Sequence, residues 1–198
     1  MAITNGYTSL ATLKAKLGIA GTDTADDAEL ERVITAVSRE IDEYTGRRFW
    51  AAEETRYYGA TDPGSVIVDD ILSVAELATD EDGDRVYETV WSASDYELEP
   101  ANAPAAGEPY WRICVTPNGQ HAFPTGDPRA IRVKGMFGYA STTPADVEEA
   151  CLAQCVLQFA AGNVQGGIEP GSPSPATRVS LHPFVQNILG AKKRWVAG

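Results

Sequence analysis

Cys151 and Cys155 stand four residues apart in GYASTTPADVEEACLAQCVLQFAAG, residues 138–162, a spacing that puts two thiols on one helix face. Such a pair could ligate a metal or cycle between thiol and disulfide. Neither chemistry has the company it needs. The chain has three cysteines, none in a CxxC pair, and only two histidines, His121 and His182. Buried thiols behave as small hydrophobes, so core packing is the favoured reading for Cys151 and Cys155, and Cys114 is read as a third buried thiol. No metal and no cofactor is expected.

The acid pairs Asp26/Asp27, Glu53/Glu54 and Asp69/Asp70 raise the question of glycosidase-like carboxylates or a hard-cation site. Adjacent residues diverge on a helix or a strand, and none of the pairs has EF-hand spacing, so a solvated surface or helix-start role is favoured. No GxSxG, P-loop, HExxH or dinucleotide fingerprint occurs. An enzyme or ligand-binding protein would have to use the aromatics Tyr57, Tyr58, Trp91 or Trp111, residue types that more often fill a sheet core or an interface. The basic segment Lys192, Lys193, Arg194 and Trp195 could meet phosphates and stack on bases. Three cations are few for that, and the apolar face before them calls for a protein partner.

The formal net charge is -12, which argues against a protein that grips nucleic acid over its whole surface. The charge is uneven. Residues 164–198 hold one acid, Glu169, against Arg178, Lys192, Lys193 and Arg194, leaving the preceding 163 residues at -15. No apolar run is long enough to span a bilayer, and the start MAITNGYTSLATL lacks the basic and apolar regions of a signal peptide, which predicts a protein made in the cytoplasm without a membrane role.

These residues must be positioned by a mixed chain. A short helix is expected from Thr8 as cap, with Leu10, Leu13 and Leu17 on one face and Gly18 at its end. Leu30, Val33, Ile34, Val37, Ile41 and Tyr44 then recur at three- and four-residue steps, one apolar stripe of a second helix that closes at Gly46, Arg47 and Arg48. From about 53 to 137 the pattern changes to short β-type runs: TRYYG, SVIVD, SVAELAT, RVYETVW, DYELEP, YWRICVT and AIRVKGMFGY, with DEDGDR as a hairpin turn. A third helix restarts at Thr143 and Pro144. It is apolar nearly all round, through Val147, Cys151, Leu152, Val156 and Phe159, with a narrow polar strip at Glu148, Glu149, Gln154 and Gln158. Such a helix needs cover from its own fold, from neighbouring subunits, or from both.

The predicted fold class is thus α+β: a small helical bundle of three core helices plus a C-terminal helix, with a β-rich inset between the second and third helices. The division expected is a body over 1–163 (bundle 8–50 and 143–162, inset about 53–137), a linker over 164–180 and a docking segment over 181–198. In the last, Phe184, Val185, Ile188, Leu189, Lys192, Lys193, Arg194 and Trp195 would dock on a partner or a neighbouring subunit, or fold back on the body.

The order SLATLKAKLGI, an acidic loop, DDAELERVITAVSREIDEYTGRRF, a β inset and IRVKGMFGYASTTPADVEEACLAQCVLQFA resembles the head-to-tail connector, or adaptor, proteins of long-tailed bacteriophages and gene-transfer particles. The resemblance covers roughly residues 8–162, and EYTGRRF and GYASTTPADV in that order carry it. It implies a structural virion protein at the neck, without catalysis or cofactor. About a dozen copies would form a ring under the portal protein, extend the DNA channel without binding DNA specifically, and present a platform to a stopper or tail-completion protein. The all-round apolar third helix fits a ring subunit, with Val147, Cys151, Leu152, Val156 and Phe159 as subunit-packing candidates. The alternatives are a tail-terminator or tail-completion subunit, and an enzyme or ligand-binding protein with a site in the inset.

Overall fold

The computed structural model describes residues 3–165 and 180–194, with 162–165 as backbone only. Among these residues the protein is α+β, with five helices and one antiparallel sheet of six strands. It divides into a helical unit, Met1–Phe49 with Thr143–Gly198, and a β unit, Trp50–Thr142.

In the helical unit, the expected stripe Leu30, Val33, Ile34, Val37 and Ile41 is buried along α2 (Asp27–Thr45). Gly46 ends α2 in the left-handed conformation, as Gly18 ends α1 (Leu10–Leu17). The cap of α1 lies one residue later than expected. Ser9 Oγ accepts from the Thr12 amide at 3.1 Å, while Thr8 is buried. Lys14, which sequence reasoning passed over, is also buried; its Nζ donates to Asp27 at 2.7 Å and to the Asp23 carbonyl, closing the acidic loop between α1 and α2.

The third predicted helix is α4 (Ala145–Gln165), and it continues past Gly162, where its end was expected. A glycine inside a helix costs about 1 kcal/mol relative to alanine, too little to stop one that is otherwise supported. Pro144 stands just before α4, its carbonyl accepting from the Glu148 amide at 3.0 Å. The C-terminal helix α5 (Pro183–Gly190) is capped by His182, whose Nδ1 accepts from the Phe184 amide at 3.2 Å.

The β unit contains β1 (Ala52–Tyr58), β2 (Ser65–Thr79), β3 (Thr89–Val90), β4 (Tyr96–Glu99), β5 (Tyr110–Val115) and β6 (Ile131–Phe137). Their order is β1-β6-β2-β5-β4, with β3 beside β2. SVIVD and SVAELAT, read from the sequence as two runs, are one strand, β2. Register shifts between Ile67 and Ile71 and between Val74 and Glu76 let that strand pair with β5 early and with β6 later. The Asp69/Asp70 pair interrupts the apolar run without breaking the strand, because the Asp69 carboxylate accepts from Arg56 at 2.7 Å and from Tyr58 at 3.1 Å. RVYETVW contributes only the two residues of β3, and the short α3 (Ala103–Ala106) was not expected. DEDGDR does form the β2–β3 turn, with Asp80 accepting from the amides of Gly83 (2.7 Å) and Arg85 (2.9 Å).

The β core holds Val66, Val68, Ile71, Leu77, Ile113, Ile131, Val133 and Phe137, with Trp91 stacked on Phe123 at 4.5 Å. Gly138, from the motif GYASTTPADV, follows β6 at φ +141°. A methyl group there would overlap the Trp50 carbonyl oxygen and stand 2.8 Å from the Ala51 Cα, so the motif needs its glycine where two backbone segments meet.

Candidate functional site

The motif EYTGRRF ends α2, and three separate parts of the helical unit meet there. Thr45 Oγ1 donates to the Ile41 carbonyl at 2.8 Å, and Gly46 turns the chain out of the helix. Phe49 is fully buried and meets the Tyr7 ring edge-on at 5.7 Å. Tyr7 fastens the N-terminal segment: its amide donates to Ser38 Oγ at 3.0 Å, and its hydroxyl donates to Asp42 and accepts from the Phe49 amide at 3.0 Å. Burial, and then the hydrogen bond to Asp42, push the Tyr7 hydroxyl well above its ordinary pKa. Burial also raises Asp42, against the lowering contributions of Tyr7 and Arg39.

The C-terminal segment arrives at the same place. The Arg194 amide donates to the Thr45 carbonyl at 2.8 Å, Lys193 sits over the Tyr44 ring at 3.9 Å, and the Tyr44 hydroxyl donates to the Gln186 carbonyl at 3.3 Å. Lys192 pairs with Asp146 at 3.1 Å. Val185 and Leu189, expected to dock on a partner, are buried within the helical unit together with Leu181. Ile188 is half-buried, and Phe184 is 57% exposed. Of the docking candidates, Phe184 therefore presents the large free apolar surface. Trp195 lies outside the described residues, as does most of the predicted linker.

Gln154 is the residue that corrects the sequence reading most. It was placed on the polar strip of its helix, yet it is fully buried. Its Oε1 accepts from the His182 amide at 2.9 Å and its Nε2 donates to the Ser180 carbonyl at 3.5 Å, so one side-chain amide fastens the backbone that leads into α5.

Val147, Cys151 and Leu152, the first three packing candidates on α4, are buried within the helical unit, while Val156 and Phe159 are half-buried and Leu157 is 40% exposed. The thiols of Cys151 and Cys155 lie 3.9 Å apart, and Cys151 lies 3.7 Å from Ser38 Oγ. The contact with Cys151, then burial, pushes the Cys155 thiol up, while the same contact, against burial, lowers the Cys151 thiol.

In the β unit the aromatics considered for a ligand site are engaged separately. Trp91 is in the core, its Nε1 donating to Thr79 Oγ1 at 3.1 Å. Tyr57 sits 5.6 Å from Tyr87 with the Arg129 guanidinium over its ring, Tyr58 bonds Asp69, and Trp111 lies beside Arg112. Among the described residues one group of three candidate metal ligands occurs, Asp80, Asp82 and Asp84. It is the hairpin turn described above, and Asp80 already accepts two of the backbone amides that shape it. Also among the described residues, no helix is long and apolar enough to cross a membrane.

The helical unit is thus closed at the end of α2 and joined in sequence to a β inset. The family model for the phage gp6-like head-tail connector protein matches residues 7–86, from the Tyr7 anchor through α1, α2, β1 and β2 to the hairpin turn. Over that span, which is less than half of the chain, the resemblance read from the sequence is matched. No curated protein matches the chain. Among solved structures, it is similar to a chain in the neck of an empty gene transfer agent (GTA) particle computed with C6 symmetry (TM-score 0.60, 16% identity, covering 100% of this chain and 96% of that one). It is similar also to a chain in the neck of a native GTA particle computed with C12 symmetry (TM-score 0.59, 16% identity, with the same coverage). A chain in the virion of a native GTA particle aligns at a TM-score of 0.53 and 19% identity. At such identities the likeness is one of fold, and it extends over the whole chain.

Proposed function

We propose that this chain is a structural subunit of the head–tail neck of a phage or phage-like particle. The observation that carries the reading is the connector family pattern over residues 7–86, on a chain whose entire fold is that of neck chains. In this reading several copies form a ring beneath the portal protein, the ring continues the DNA channel, and its far side receives a stopper or tail-completion protein. The role is architectural, with no catalytic step. The partly exposed Leu157 on α4 and Phe184 on α5 are apolar surfaces of the kind that neighbouring subunits or the portal would cover. The acidity of the body suits a channel through which DNA slides, since it offers few cations to exchange for phosphate counterions.

Disrupting the gene tests this reading. The expected result is DNA-filled heads without joined tails, beside free tails of normal length, with joining restored by the gene supplied in trans. Tails of abnormal or uncontrolled length would instead identify a tail-terminator, and normal particles would refute the neck role.

A further inference from the structure

Lys192–Arg194 follow α5 and leave its helical path. The Lys192 and Lys193 amides donate back to the Leu189 and Gly190 carbonyls at 2.9 and 3.4 Å, and the Arg194 amide donates across to the Thr45 carbonyl at 2.8 Å. Lys193 Nζ lies 3.9 Å from the centre of the Tyr44 ring, and Lys192 Nζ pairs with Asp146 Oδ2 at 3.1 Å. Three consecutive residues thus hold both the last turn of α2 and the first turn of α4.

Those two turns have a shared place in the chain. The helical unit gives way to the β unit after Phe49 and resumes at Thr143, so the last turn of α2 precedes the first crossing and the first turn of α4 follows the second. Both crossings, residues 46–51 and 138–144, lie outside the helices and strands. Backbone without such bonding opens locally unless something tethers it. On the β side, the Gly138 backbone stands against that of Trp50 and Ala51, where no methyl would fit. On the helical side, the Tyr7 hydroxyl holds the Phe49 amide at 3.0 Å, and Lys192–Arg194 supply the remaining contacts described above.

We propose that Lys192–Arg194 act as a latch, shut in this structure, that steadies both crossings from the helical side and opens while α5 stays seated. The seat of α5 is made by other residues: Val185 and Leu189 are fully buried, and Gln154 binds the His182 amide. Tyr44 alone serves both, since its hydroxyl donates to the Gln186 carbonyl. The latch contacts are one backbone hydrogen bond, one cation over a ring, and one ion pair whose Asp146 side chain is 48% exposed. Contacts of this kind are individually weak and open well before a buried core does. Because one short segment makes all three, losing one loosens the others, and the end of α2 becomes coupled to the start of α4. Whatever lifts this segment therefore frees both crossings in one event. The inference does not rest on the neck role.

Amide hydrogen exchange of the full-length protein, followed residue by residue by NMR, tests the latch. Asp146→Asn breaks the ion pair from the α4 side and Lys192→Met from the other; circular dichroism melts establish that each is folded, and Lys192→Met carries the test alone if Asp146→Asn, at a helix start, is not. The reporters are the Arg194 amide and, across the latch, the Gly46 and Phe49 amides of the first crossing, which are bonded to Asp42 and Tyr7. Either substitution is expected to speed exchange at all three by about two- to fivefold, while the amides of Gln186 and Leu189 in α5 keep their wild-type rates. The double variant should exceed neither single one, and Lys192→Arg should exchange as the wild type does. The proposal is overturned if exchange changes only beside the substituted residue, or if the two effects add. It is equally overturned if the α5 amides accelerate in step with the reporters, since the three contacts would then belong to the seat of α5.

Discussion

Removing residues 181–198 is expected to unfold the helical unit, not merely to free a tether. Leu181, Val185 and Leu189 are buried at 4%, 0% and 0% exposure, and each such side chain contributes about 1.5–3 kcal/mol when withdrawn from water. Together they amount to roughly 5–9 kcal/mol, comparable to the whole stability of a typical domain. The loss also strands polar groups: the buried Gln154 Oε1 would lose the His182 amide, and the Thr45 carbonyl would lose the Arg194 amide. Thermal unfolding followed by circular dichroism should show the cooperative helical transition weakened or gone in the truncated chain. An unchanged melting temperature would mean that α5 contributes nothing to the unit. Phe184→Ala is the informative contrast, since a side chain 57% exposed should leave the melt nearly untouched while altering any docking the segment performs.

Gly138→Ala is expected to be the most damaging single methyl addition in the β unit. Its φ of +141° is strained for any L side chain, and the added carbon would overlap the Trp50 carbonyl and press on Ala51. Strain of about 1–3 kcal/mol, together with the backbone shift needed to relieve the overlap, points to a loss of at least about 3 kcal/mol. For a unit of this size that lowers the melting temperature by on the order of 10–20 °C, or leaves the protein insoluble. A melt within about 3 °C of wild type would show that the turn after β6 adapts freely, and the glycine of GYASTTPADV would then have no structural reason to be there.

What the sequence made legible was local. The stripe of α2, the left-handed glycines at 18 and 46 and the Asp80 turn each follow from a few neighbouring residues, and each is found where it was expected. What it hid depends on partners distant in the chain. β2 reads as two strands because Asp69 and Asp70 resemble a break, and only Arg56 and Tyr58 on β1 make an acid acceptable at that point. Gln154 reads as a surface residue, and Lys14 gives no sign of its burial, because polarity is a poor guide to burial when a side chain finds backbone groups to bind. The end of α2 was legible as the motif EYTGRRF, but not as a seat for the segments at Tyr7 and Arg194. That role depends on Tyr7 bonding Asp42 and on Arg194 bonding Thr45, contacts that no periodicity contains.

The same distinction separates the family from its details. Residues 7–86 match the connector family model, whereas the partly exposed Leu157 and Phe184 are surfaces that the proposed ring would cover. The measurement that bears most directly on the neck role is a reconstruction of the particle neck at side-chain resolution. The predicted result is a closed ring of this chain between the portal and the tail, with α5 seated in a helical unit. A neck whose density is fully accounted for by other chains, or this protein found only at the distal end of the tail, would contradict it.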